Sequence, residues 1–143
     1  MTSSTPLTFP AWTAALGDRG LTVLSPSHRV PVELWLRSAE HGLLHFFARG
    51  TRVVLRAHRP EDLTWLLLRS ECDCAEHRTA GAGRRLVLRP GAVPVAEVVL
   101  AGAAAHDWRG YDAGLIDVPT AAAVFDRLLA ALSEPVQARG AVA

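Results

Sequence analysis

The sequence predicts an α+β fold: a mainly antiparallel β-sheet or split β-barrel, with a short N-terminal helix and a C-terminal amphipathic helix. Three observations carry this reading. Val30, Val32, Leu34 and Leu36 alternate with Glu33, Trp35 and Arg37, which is the period of a half-buried strand. Short glycine-containing links then separate the apolar runs as far as residue 57, with no helical pattern between them, so successive strands pair as hairpins. Ala121, Val124, Phe125, Leu128, Leu129 and Leu132 recur at three- and four-residue steps and form one stripe of a helix.

Residues 1–8 read as a loose leader. Pro10 to Leu16 suits a short helix, because proline is tolerated in a first turn, and Gly17 and Gly20 supply a stop. Leu21 to Ser25 reads as a strand, with a turn at Ser25-Pro26-Ser27. Val30 to Arg37 is the alternating strand, Ser38 to Gly42 a hairpin-sized link, and Leu43 to Ala48 the returning strand. After Gly50, Thr51 to Ala57 forms another, with Val53 and Leu55 on one face and Arg52, Val54 and Arg56 on the other. Pro60-Glu61-Asp62 starts one helical turn. Leu63 to Leu68 is short enough to fit a buried strand. Ser70 to Arg84 has no clear pattern and holds both cysteines. Arg85 to Arg89, Val95 to Leu100 and Tyr111 to Val118 are the remaining strand candidates, with a turn at Pro90-Gly91. Thr120, following Pro119, is positioned to cap the last helix and Pro135 to end it. Residues 136–143 read as a disordered tail.

The 143 residues, taken as 1–143, fit one domain. The net charge is +1, so no global field draws the chain to nucleic acid or an anionic membrane, and neither is expected as a partner. All 15 basic residues are arginine, asparagine is absent, and Ile116 is the one isoleucine. This composition fits a high-GC bacterium, in which arginine is the default cation. No apolar run approaches the roughly 20 residues needed to span a bilayer. Met1 to Pro6 has neither a cationic stretch nor an apolar core, so a cytoplasmic protein with reduced cysteines is expected.

No G-x-G-x-x-G, P-loop or G-x-S-x-G motif is present, and the acids are dispersed, so no general acid/base pair is evident. Two constellations remain. Arg49 to Arg59 holds four arginines and no acid. Arginine forks match phosphate oxygens, and Thr51 with the amides beside Gly50 can add donors, against the alternative of a solvated strand face. A phosphate there would sit at the Gly50 end, held mainly by Arg49 and Arg52, with Arg56 reaching a second charged group. Cys72, Cys74 and His77 place two thiols and an imidazole within six residues, the ligand types of zinc. The other histidines are scattered, and each is expected to be structural or on the surface. Trp108 and Tyr111, after His106-Asp107, either line a pocket or anchor a loop.

Val30-Pro31-Val32-Glu33-Leu34-Trp35 followed by Gly42-Leu43-Leu44-His45-Phe46-Phe47-Ala48-Arg49-Gly50-Thr51 resembles the hairpin of pyridoxamine-phosphate-oxidase-like split barrels, with the likeness running from Leu21 to Leu68. That family binds flavin or a related cofactor. The resemblance implies a cofactor phosphate, as in FMN, at Arg49, Thr51, Arg52 and Arg56, and an oxidoreductase activity. Two functional readings stand at this point. One is a small β-barrel binding a phosphate-bearing, flavin-like cofactor or small-molecule ligand. The other is a non-enzymatic regulatory or scaffold domain, a homodimer or the partner of another protein, with a metal in the Cys72/Cys74/His77 loop.

Overall fold

The computed structural model describes residues 5–68, 83–134 and 141–142. Helix α1, Phe9–Asp18, begins where the Thr8 hydroxyl oxygen accepts from the Ala11 amide at 3.2 Å, with Pro10 in its first turn. Gly17 lies inside this helix, and the chain leaves it at Gly20, whose φ of 80° is left-handed. Four strands follow as a meander: β1 Leu21–Arg29, β2 Val32–Ser38, β3 Gly42–Arg49 and β4 Arg52–His58. Ser38 shapes the β2–β3 link, its hydroxyl oxygen accepting from the Glu40 and His41 amides, each at 3.2 Å. After a 3₁₀ turn at Pro60–Asp62 come β5 Leu63–Leu68 and β6 Gly83–Leu88, which among the described residues pair only with each other. Strand β7, Ala96–Ala101, returns antiparallel beside β4, and β8, Ala141–Val142, adds to it in parallel. Helix α2 spans Val118–Leu132.

The fold is therefore α+β. The main sheet runs β1-β2-β3-β4-β7-β8 and is open, not closed into a barrel. Among the described residues, no helix is long and apolar enough to cross a membrane.

One sheet face makes the core. Leu34, Leu36, Leu44, Phe46, Val53, Leu55, Val98 and Leu100 point from it under α1 and α2. Trp12 of α1, Phe46 of β3 and Phe125 of α2 meet edge to face, with centroids 6.1, 6.1 and 5.2 Å apart. Such aromatic packing adds about 0.5–1.5 kcal/mol per pair beyond the area it buries.

Three local expectations change. The Ser25-Pro26-Ser27 segment is not a turn but an irregularity inside β1, where the pairing with β2 shifts between Leu24 and His28. Proline lacks the amide that a ladder needs. The Ser27 hydroxyl fills in, donating to Leu24 O at 2.7 Å and accepting from Trp35 N at 3.4 Å. Tyr111 to Val118 is not a strand: it folds as a 3₁₀ turn at Asp112–Leu115 and then enters α2. Gly110, at φ 53°, reverses the chain, and Asp112 accepts from the Arg109 amide at 2.9 Å. Finally, the cap of α2 is Asp117, not Thr120. The Asp117 carboxylate accepts from the Thr120 amide at 2.9 Å, and the hydroxyl and amide of Thr120 hold its pKa below the usual carboxylate value.

Candidate functional site

Strand parity puts a second set of side chains on the sheet face away from the core. Trp35, His45, Arg56 and Glu97 lie in one row across β2, β3, β4 and β7, and Glu33, Phe47 and Val54 lie in the next. Arg49 and Arg52 oppose each other at the end of the β3–β4 hairpin, flanking its Gly50–Thr51 turn. Gly50 has φ 61°, a left-handed conformation that glycine adopts without strain.

Both carbonyls of that turn hold the chain that follows β7. Gly102 N donates to Thr51 O at 2.9 Å, and Ala113 N donates to Gly50 O at 3.0 Å. The ring of Trp108 lies directly on Gly102, where an added Cβ would come within 1.9 Å of the indole. Trp108 is thus the anchor of this segment. Tyr111 instead faces outward as a wall. Between Val30, Pro31, the Arg49–Gly50 corner, Tyr111 and Leu115 lies a hollow of about 370 Å³. Its lining is almost wholly apolar, and Arg49 borders it. Tyr111 is 84 % exposed, Leu115 68 % and Val30 52 %. Large apolar side chains left in water around one concavity mark a binding surface.

The arginines differ in their commitments. Arg49 is 74 % exposed, with its nearest carboxylate oxygen, on Glu33, at 3.8 Å, beyond a hydrogen bond. Its guanidinium lies over the Phe47 ring, 5.4 Å from the centroid. Arg52 is exposed and makes no hydrogen bond or ion pair among the described residues. Arg56 is engaged: its Nε donates to Glu97 Oε2, and it too covers Phe47, at 5.0 Å. Thr51 contributes its carbonyl to the fold. Hence the sequence-derived set divides. Arg49 and Arg52 sit together with free donor capacity, Thr51 shapes the turn, and Arg56 is held in the sheet by Glu97. Cys72, Cys74 and His77 lie outside the described residues. Among the described residues, no three His, Cys, Asp or Glu side chains group as a metal site.

Beneath Arg49 is a buried aromatic and imidazole cluster. Trp35 stacks on His45 with centroids 3.8 Å apart and planes 5° from parallel. His45 Nε2 lies 3.0 Å from Glu33 Oε2. Burial pushes the His45 pKa down to about 4, against the opposing pull of Glu33. The ring is therefore neutral at neutral pH, with Nε2–H donating to Glu33 and the Nδ1 lone pair buried without a partner. His58 is buried, with no hydrogen bond at either ring nitrogen, and burial and then Arg56 lower its pKa. These rings support Glu33 and Phe47, and with them the position of Arg49. They offer no exposed acid or base. The hollow supplies apolar walls with Arg49 at its border, which is chemistry for binding.

Sequence reasoning singled out Arg49, Arg52 and Tyr111 but not Val30, Pro31 or Leu115 as walls. Leu115 and Val30 read as ordinary strand residues there, and only an assembled turn turns them outward. No protein-family model, curated protein or solved structure matches the chain.

Proposed function

We propose that the protein binds a compact ligand that joins an apolar body to a phosphate or similar anion. The observation that carries this is the 370 Å³ apolar hollow walled by Arg49, with Arg52 beside it and neither guanidinium hydrogen-bonded to a carboxylate. The volume falls at the lower end of small-molecule sites, roughly 300–1,000 Å³. A charged donor left in solvent beside apolar walls suits a ligand with both characters. A phosphate-bearing cofactor of the flavin kind meets these requirements, and any oxidation–reduction chemistry would then be the cofactor's own.

A thermal melt with FMN and with inorganic phosphate tests this. Ligand at a hundredfold excess over its Kd should raise the melting temperature by roughly 5–10 °C. Each charge-assisted contact contributes about 1.5–3 kcal/mol, so Arg49→Ala should weaken binding roughly tenfold or more. Arg89→Ala, an exposed position outside this site, should leave it unchanged. Absence of any shift, or equal behaviour of the two variants, would remove the reading.

The exposure of Tyr111 favours a second reading, a protein partner or second copy of the chain seated on the same walls. A dimer in sedimentation that Tyr111→Ser dissociates would support it.

A further inference from the structure

A second hollow, of about 580 Å³, opens on the far side of Val30 and Leu115, and those two residues line both spaces. Leu7, Ile116 and Pro119 form its apolar wall, and Thr5, Thr8, Arg29 and Asp117 add polar lining. Leu7 is 37 % exposed, so here too apolar surface is left facing water. The apolar lining therefore continues from the Arg49 corner, over the Val30–Leu115 ridge, to Leu7. That is longer than a compact ring system needs. Charge is unevenly placed along it. Arg49 and Arg52 stand at one end. At the other, Arg29 and Asp117 are of opposite sign, and the Asp117 carboxylate accepts from the Thr120 amide at 2.9 Å.

We propose that the ligand is a single-chain anionic amphiphile, with its head group on Arg49 and Arg52 and an alkyl chain crossing Val30 and Leu115 into the hollow beside Leu7. This rests on the binding reading above and narrows it to a ligand class. The guanidiniums recognise the charge of a phosphate or carboxylate, and the apolar wall of the trough recognises chain length. Each methylene taken out of water should strengthen binding by roughly fourfold. A ring confined to the first hollow would gain nothing from the second. The trough is concave and crossed by a ridge, so it suits one free chain and not a lipid surface.

The test is calorimetric titration of the full chain with n-alkyl phosphates from ethyl to decyl, each below its micelle concentration. Inorganic phosphate, FMN, the matching alcohols and anionic phosphatidylglycerol vesicles serve as comparators. Affinity should climb about fourfold per methylene through the middle of the series and then level off as the second hollow fills. Leu115→Ser and Val30→Ser should flatten that climb, weakening the longer members far more than ethyl phosphate. Both side chains are exposed, so the melting temperatures of these variants should stay close to the parent's. Arg49→Ala should weaken every member by a similar factor, about tenfold. If inorganic phosphate or FMN binds but chain length has no effect, the amphiphile proposal is overturned and the simpler binding reading stands. If no ligand binds, both fall. Alcohols binding as tightly as phosphates, or binding to vesicles alone, would also overturn it.

Discussion

Glu33 faces two basic side chains of different kinds with one oxygen. Its Oε2 takes the His45 Nε2–H at 3.0 Å and stands 3.8 Å from an Arg49 nitrogen. Burial of His45 behind Trp35 and Phe47 sets which of them is permanently charged: arginine is always a cation, whereas the imidazole is held neutral. The pKa of a free histidine is about 6.5. With the folded value down at about 4 for His45, and lowered for His58, the unfolded chain takes up protons first as pH falls. Stability is therefore full above about pH 6.5 and is lost between there and about pH 4, by on the order of 3 kcal/mol from His45. Urea midpoints measured across that range should fall with pH, and His45→Gln should flatten the fall. A midpoint independent of pH in the parent protein would show that the ring is not buried neutral.

At the scale of elements, the segment from Gly102 to Leu115 decides whether a site exists. It is held to the β3–β4 turn by two backbone hydrogen bonds and by Trp108 lying on Gly102. Gly102→Ala would drive a methyl group into the indole, a rigid ring that must move as a whole. Overpacking of this kind costs about 1–3 kcal/mol. We expect a lower melting temperature together with weakened ligand binding, because Tyr111 and Leu115 ride on the same segment. Melts and titrations of the variant check both, and an unchanged affinity would separate the anchor from the site. Here the sequence was only half legible. Trp108 and Tyr111 stood out as aromatics near each other that either line a pocket or anchor a loop, but dividing those roles between them needed Gly102 to be placed beneath Trp108. Likewise, Tyr111 to Val118 carries strand-like composition at Leu115, Ile116 and Val118, and turns instead because its amide at Ala113 pairs with Gly50 rather than with a neighbouring strand.

For the whole molecule, stability rests on one face of the sheet and the two helices laid over it. Leu128, fully buried, sits in that layer with Phe125 and Leu132. Leu128→Ala should cost about 2–5 kcal/mol, the range for large-to-small changes in a packed core. Chemical denaturation checks this, and a loss under 1 kcal/mol, as for a surface site, would mean that α2 is not clamped to the sheet. What the sequence determined by itself was periodic. Alternation gave the strands and put Arg52, Val54 and Arg56 on one face. The three-four stripe gave α2, and the glycine links gave the hairpins. These follow from backbone geometry, which repeats every two or every 3.6 residues whatever the rest of the chain does. What only the tertiary structure decided was convergence. It closed the Arg56–Glu97 pair across two strands, stacked Trp35 on His45, left Arg49 and Arg52 with donors not hydrogen-bonded to a carboxylate, and brought Val30 and Leu115 to the wall of one trough. Those residues are distant in sequence and meet only through sheet register and a docked turn, and no local pattern encodes a contact between segments that are still apart.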